Sequence, residues 1–267
     1  MTGNLKIWRE SGVSEAVGYI LIFGITMMGI GLVTLVGYPA LLNAQADANI
    51  RNMERNMISL QSDVNALAYK SVPYKETTMQ VNGGVLSVER PNDDKSLSIK
   101  VDGADILNIP ATPPDTPNRF QFGELLFKSD TGLPIVSLFN GAVVKRDLGG
   151  SVMLSEPRWF FDQSTQTLVI TLIQIDSDKT LAKSGIVTIQ MEIKPIIIDA
   201  TNTIIKDYTP DTKTVYINYR DVQSDYYRAW ENYFGSTLEM QKEDPDWKID
   251  GVQKLVVKAY KVNVIGL

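Results

Sequence analysis

Hydrophobic and polar residues are distributed very unevenly along this chain. Between Glu15 and Asp47 there is no charged side chain, and from residue 16 to residue 42 nearly every position is apolar, glycine or threonine. A helix of that length extends roughly 40 Å, whereas the hydrocarbon core of a bilayer is about 30 Å thick. The pattern therefore predicts one membrane-spanning helix over residues 13–42. No later apolar run is long enough to cross again.

After this segment the apolar residues form a stripe instead of covering all sides. They recur at alternating intervals of about four and three residues, at Ala46, Ile50, Met53, Met57, Leu60, Val64 and Leu67. This period predicts an amphipathic helix over residues 43–70. Two partners suit the stripe: the protein's own sheet, or a coiled-coil seam between subunits. Because Pro39 lacks a backbone N–H and clashes with the preceding turn, we expect a helix kink there.

Short runs of strand-forming residues, separated by Gly, Asn and Asp, fill residues 74–200. Asn82-Gly83-Gly84 predicts a tight hairpin between strands at 77–81 and 85–89, since Asn and Gly tolerate positive φ. Residues 110–117 form a proline-rich loop. Further strands are predicted at 97–101, 120–127, 135–139, 142–145, 152–154, 158–161, 168–175 and 186–194. We expect a mainly antiparallel sheet or sandwich, so the fold class is α+β with a long amino-terminal helix.

Residues 201–267 differ again. They form either part of the same β-rich head as residues 74–200 or a small second unit. Strands are predicted at 204–206 and 215–219, followed by a helix at 224–241 that Ser224 caps. Residues 247–249 and 253–265 are predicted to pair as a closing hairpin. The rings of the helix fall on one side and indicate core rather than a ligand or sugar platform; they are Tyr226, Trp230, Tyr233 and Phe234.

The composition argues against several functional classes. The 267 residues include no histidine and no cysteine, so the commonest general base, the usual metal-binding nitrogen and any disulfide are missing. The formal net charge of −5, without a run of Lys or Arg, argues against binding nucleic acid. Acid pairs at Asp93-Asp94, Asp176/Asp178 and Asp244/Asp246 are typical of solvated turns, and a calcium ion at Asp176–Asp178 is the weaker alternative. We expect no enzyme activity, no metal site and no cofactor.

A short leader with two basic residues precedes the apolar run, and it ends in a small residue. Lys6 and Arg9 lie in the leader, and the sequence GVSEAVGYILIFGI starts at Gly12. This stretch resembles the amino terminus of archaeal type IV pilin-like precursors, which carry a class III signal peptide. The resemblance implies that residues 1–12 are a leader, and that a prepilin peptidase cuts between Gly12 and Val13 and leaves the helix on the mature chain.

The flanking charges and the glycines complete this prediction. The basic residues before the helix keep the amino terminus in the cytoplasm, so the head is exported. Gly18 and Gly29 share one helix bearing, and Gly24 and Gly31 share another; both strips suit close helix packing, although glycine is common in membrane helices anyway. The resemblance also implies a subunit contact for Glu15, here the third mature residue.

These features predict a pilin-like structural or interaction protein of the archaeal cell surface. Its expected location is the cell membrane as a single-pass protein, with assembly into a surface filament as the further step. The expected partners are the membrane, the prepilin peptidase, and other copies of the chain or other pilin subunits. The alternative is an uncleaved single-pass anchor that carries an envelope-binding or receptor module.

Overall fold

The computed structural model describes residues 10–70, 72–109, 118–222 and 225–267, with the backbone alone for residues 10–14. These residues divide into two compact units, one ending at Ala48 and one spanning Asn49–Leu267. Three predicted features lie outside the described residues: leader residues 1–9, the proline-rich loop at 110–117 and the cap Ser224.

The amino-terminal part is helical throughout. Helix α1 spans Glu10–Leu32, a π-helical segment spans Val33–Gly37, and helix α2 spans Tyr38–Tyr69. In the π-helical segment the N–H of Tyr38 donates to the carbonyl of Val33, five residues back. Proline and π-helical turns are both recognised causes of helix bending. The kink at Pro39 stays a prediction, and the π-helical turn directly before Pro39 is an irregularity at that place.

The second half of α2 packs on the sheet of its own chain. Met53, Met57, Leu60, Val64 and Leu67 are each at most 2% exposed. They share one hydrophobic cluster with residues from several strands, whereas the intervening positions on α2 are mostly polar. Because the stripe already has an apolar partner within the chain, the head needs no second subunit to bury it.

A buried amide adds polar contacts between α2 and the sheet. Gln61 is 5% exposed, and its Nε2 donates to the carbonyls of Gly141, at 2.7 Å, and Glu156, at 3.0 Å. The hydroxyl of Ser155 donates to Gln61 Oε1 at 2.6 Å. Three hydrogen bonds thus satisfy a polar side chain that would otherwise be costly to bury, and they fix the helix in register with the strands.

The head contains one hydrogen-bonded sheet of fourteen strands in the described parts of the chain. Their bounds are β1 Tyr74–Val101, β2 Ala104–Asp105, β3 Phe120–Ser129, β4 Ile135–Phe139, β5 Ala142–Asp147, β6 Gly150–Ser155, β7 Phe160–Asp162, β8 Thr167–Asp176, β9 Ala182–Lys194, β10 Thr203–Asp207, β11 Lys213–Asp221, β12 Gln241–Glu243, β13 Asp246–Val252 and β14 Lys254–Gly266. The main order is β6-β5-β4-β3-β1-β9-β14-β8-β7. The α+β fold class is confirmed, and all pairings are antiparallel except β14 with β8.

The hairpin predicted at Asn82-Gly83-Gly84 is wrong. Strand β1 runs straight through these residues, pairing with β9 from Tyr74 and with β3 from Gly84. The register with β9 shifts between Val81 and Leu86, which marks a β-bulge. Gly83 has φ +70°, a value that suits a bulge as well as a turn. The predicted strands at 77–81, 85–89 and 97–101 are therefore parts of one long strand.

The closing hairpin at the carboxyl end is also wrong. Strand β13 pairs with β11 and β12, whereas β14 pairs with β8, β9 and β10. The predicted helix is shorter than expected: α3 covers Tyr227–Asn232 and continues as a π-helical turn over Tyr233–Thr237. Gln241, the last residue of the predicted helix, is instead the first residue of β12.

The aromatic side chains near α3 form the centre of the second hydrophobic cluster. The rings of Trp159 and Trp230 lie 5.5 Å apart, and Trp230 lies 5.5 Å from Phe234. Tyr226, Trp230, Tyr233 and Phe234 are each at most 3% exposed, as expected for core residues. The hydroxyl of Tyr233 donates to the carbonyl of Trp159 at 3.2 Å. Burial raises the pKa of the Tyr219, Tyr226 and Tyr233 phenols above the usual value.

We expect Gly123→Ala to destabilise the head by about 3 kcal/mol, at the upper end of overpacking costs. A Cβ at Gly123 would lie 1.9 Å from the carbonyl oxygen of Ile175 and 2.7 Å from that of Glu89. Backbone atoms of two other strands would have to move. Chemical denaturation monitored by circular dichroism measures the loss. Gly149→Ala is the matched control, because nothing lies within 4 Å of its Cβ; equal stabilities of both variants would contradict the close approach.

The buried phenols predict a loss of stability in alkali. Unfolded tyrosine ionises near pH 10, whereas the raised pKa of Tyr233 keeps the folded phenol protonated. The unfolded chain therefore binds fewer protons, and the free energy of unfolding falls as pH rises above about 10. In Tyr233→Phe this fall is shallower by up to about 1.4 kcal/mol per pH unit. Urea unfolding at pH 9, 10 and 11 measures both slopes, and identical slopes would contradict the prediction.

Candidate functional site: the apolar helix and the polar cluster of the head

The apolar helix offers its side chains to its surroundings on all sides. From Glu15 to Ala48 every residue is exposed except Gly18 and Gly31, which are half-buried. Met28 is 75% and Leu35 77% exposed. The helical stretch Glu15–Tyr69 is, in the described residues, long and apolar enough to cross a membrane by length and composition. Such a surface is unfavourable in water, and the described part of the chain supplies no apolar partner for it.

The four glycines of the predicted contact strips all lie within α1. A Cβ added at Gly18, Gly24, Gly29 or Gly31 would meet nothing within 4 Å. Packing within the chain therefore does not require glycine at any of these positions. The two threonine hydroxyls on the same segment, Thr26 and Thr34, donate to the helix backbone; that of Thr34 donates to the carbonyl of Ile30 at 2.8 Å. The exposed surface is thus free of unsatisfied hydroxyl groups at these points.

The predicted processing residues lie at the start of the helix. Gly12 and Val13 are part of the backbone of α1, whose first residue is Glu10. Glu15 is exposed and makes no hydrogen bond or ion pair with any residue that the structure describes. The cut between Gly12 and Val13, and the subunit contact of Glu15, stay predictions.

A buried cluster of charged side chains lies in the head, at residues for which no functional role is predicted from the sequence. Lys95 of β1 pairs with Glu124 of β3, and their side chains are 12% and 2% exposed. Ser137 of β4 donates a hydrogen bond to the same carboxylate. The ring of Tyr226 lies 5.4 Å from Lys95 Nζ. Lys95, Glu124 and Tyr226 line a cleft of about 390 Å³, together with Glu89 and Asp94.

Burial decides the electrostatics of this cluster. Desolvation lowers the pKa of Lys95 to about 8, while the nearby charges of Asp221, Glu89 and Asp94 act in the opposite direction. Glu124 already engages both the ammonium and the Ser137 hydroxyl. The arrangement therefore fits a cross-strand contact joining β1, β3 and β4 better than a free nucleophile with a base. The sequence signal for this cluster is Glu124, an acidic residue within the mostly apolar run Phe120–Phe127.

One acid of each pair named in the sequence analysis is bound by a neighbouring side chain. Asp93 accepts from Arg220 at 2.8 Å, Asp176 pairs with Lys261 at 2.7 Å, and Asp246 accepts from Asn218 at 2.7 Å. A lysine on Asp176 opposes a cation at the predicted alternative calcium site. Among the described residues no three acidic side chains converge in a way that could hold a metal ion.

Comparison with known proteins gives a family but no described activity. Residues 11–264 match a family described as a family of unknown function (DUF7289). An uncharacterized protein of Archaeoglobus fulgidus is 29% identical over 82 residues, which cover 31% of this chain and 31% of that protein. The match thus spans about a third of the relative's length. No solved structure matches the chain. Because the family match covers almost the whole sequence, the chain belongs to the DUF7289 family.

Proposed function

We propose that this protein is a pilin-like structural or interaction protein of the archaeal cell surface. In this proposal α1 and the start of α2 anchor the chain in the membrane, and the exported β-rich head makes contacts outside the cell. The observation that carries the proposal is the apolar segment between Glu15 and Asp47, which has no charge and no buried face. A helix that is apolar on all sides is stable in lipid or among similar helices, and not in water.

The direction of insertion follows from the short leading segment. Lys6 and Arg9 precede the apolar run, and positive residues near a membrane helix favour the cytoplasmic side. The head, Asn49–Leu267, then lies outside. Its single sheet and its two hydrophobic clusters stabilise it without a disulfide. The archaeal source of the relative is in keeping with the proposed setting.

Assembly is the finer part of the proposal. A prepilin peptidase removes residues 1–12, and the mature helix passes from lipid into a bundle of identical or related helices. Both surroundings are apolar. The packing between helices, and not the exclusion of water, therefore determines whether the helix leaves the lipid for the bundle. The two glycine strips allow close approach in such a bundle, and no Cβ at these positions would clash within the chain. The exported head then decorates the filament.

A single-cysteine variant tests the anchor and its orientation. The chain has no cysteine, so the unaltered protein is a blank for thiol labelling. Leu148 is 91% exposed on the head, and we expect Leu148→Cys to react with a membrane-impermeant maleimide in intact cells. The protein should sediment with membranes and resist alkaline carbonate, but dissolve in detergent. Labelling only after permeabilisation, or a protein soluble without detergent, would overturn the proposal.

Replacing Gly12 tests processing. We expect the native protein to begin at Val13 by intact mass, and Gly12→Trp to keep its first 12 residues, because a bulky side chain does not fit a protease subsite for a small residue. Sheared surface material should show filaments in negative stain for the native protein and none for Gly12→Trp.

Gly24→Trp controls for the mere presence of a bulky residue, since it lies away from the cut and should be processed normally. A native protein that retains Met1 would contradict the pilin-like reading. The protein would then be an uncleaved membrane anchor, and the maleimide labelling of its head in intact cells would be unchanged.

A further inference from the structure

A polar groove runs between α2 and the beginning of β1. Residues 74–81 of β1 pair with β9 on one side, whereas pairing with β3 begins only at Gly84. The helix lies along this stretch: Asp63 accepts a hydrogen bond from Thr77 at 2.6 Å and pairs with Lys75 at 3.2 Å. Near the bulge the two elements leave a groove of about 390 Å³. We call it the amide groove.

Amide side chains dominate the lining of the amide groove. From α2 come Asn49, Asn52 and Asn56, which lie on one helix face at intervals of three and four residues. From β1 come Asn82 and the backbone of Gln80, whose carbonyl accepts a hydrogen bond from Asn56. The Gln80 side chain lies on the face of β1 opposite to Met79 and Val81, which pack with α2. Four primary amides along one groove give a dense and mixed set of hydrogen-bond donors and acceptors.

Most of these groups are available to a ligand. Asn56 Nδ2 donates to the carbonyl of Gln80 at 3.3 Å, which leaves its Oδ1 free among the described residues. The side chains of Asn49, Asn52 and Asn82 make no hydrogen bond with any other described residue. Scattered surface amides are ordinarily satisfied by water. Their concentration along one groove separates this set from an ordinary solvated face.

The lining of the amide groove contains one cationic side chain and no acidic one. Arg55 belongs to the lining and forms no ion pair in the described part of the chain, and no Asp or Glu lines the groove. Its neighbour Glu54 pairs with Lys145 at 2.8 Å instead. A guanidinium presents a planar fork that matches a carboxylate or sulfate. A single cation is far too little for nucleic acid, which requires a basic surface.

We propose that the amide groove binds an acidic sugar. The amides donate to and accept from the hydroxyl groups, and Arg55 binds the carboxylate or sulfate of the sugar. Amides match sugar hydroxyls because both groups donate and accept hydrogen bonds. Without a sugar, water is the partner of these amides. This binding is independent of whether the chain assembles into filaments.

Calorimetry on the full chain tests the proposal. The protein is kept in a polyoxyethylene ether detergent, because maltoside or glucoside detergents would offer sugars of their own. The probes are trigalacturonate, a neutral galactose trisaccharide and inorganic sulfate. We expect trigalacturonate to bind with a Kd of about 0.1–1 mM, the neutral sugar at least tenfold more weakly, and sulfate not measurably.

Variants then separate the groove from general surface charge. Arg55→Ala should weaken trigalacturonate binding about tenfold and leave the neutral sugar within twofold, whereas Asn52→Ala with Asn82→Ala should weaken both sugars. Arg51→Ala, on an exposed residue of the same helix outside the lining, and Asn108→Ala, on an exposed asparagine elsewhere, should bind like the unaltered protein. The proposal is overturned by no sugar binding, by sulfate binding as tightly as trigalacturonate, or by equal losses in Arg51→Ala and Arg55→Ala.

Discussion

A helix with one apolar stripe can bury that stripe on a sheet, but a helix that is apolar on all sides needs surroundings that are apolar on all sides. The helical part of this chain contains both kinds of surface. Met53 and its partners are buried in the head, whereas the residues before Ala48 have no apolar partner in the described chain. This difference divides the protein into a part stabilised by its own core and a part whose stability depends on what surrounds it.

Many of the elements could be predicted because their signals are local. The apolar runs at 135–139 and 168–175 form strands β4 and β8, and the stripe on α2 is visible from its spacing alone. The failures involve choices made over long distances. Asn82-Gly83 suits a turn and a bulge equally, and the partners β9 and β3 decide between them. The sequence around β14 carries no local signal that this strand pairs in parallel with β8.

The same distinction applies to the candidate site. A membrane-length apolar segment is a property of consecutive residues, so Gly18 and Gly31 could be assigned to it from the sequence. The Lys95–Glu124 pair and the amide groove exist only because separate elements meet. Before folding, a buried acid in a strand and a set of asparagines on a helix are ordinary features. Their chemical meaning comes from the pairing of β1 with β3 and the docking of α2.

The place of β14 in the sheet governs the order in which the head can form. This strand lies between β8 and β9 and also pairs with β10, yet it follows all the other described strands in chain order. Synthesis from the amino end leaves β8 and β9 without their shared neighbour until residues 254–266 have been made. Until then two strand edges remain open to chaperones, proteases and other chains. The nascent head therefore stays incomplete until its shared strand β14 has been made.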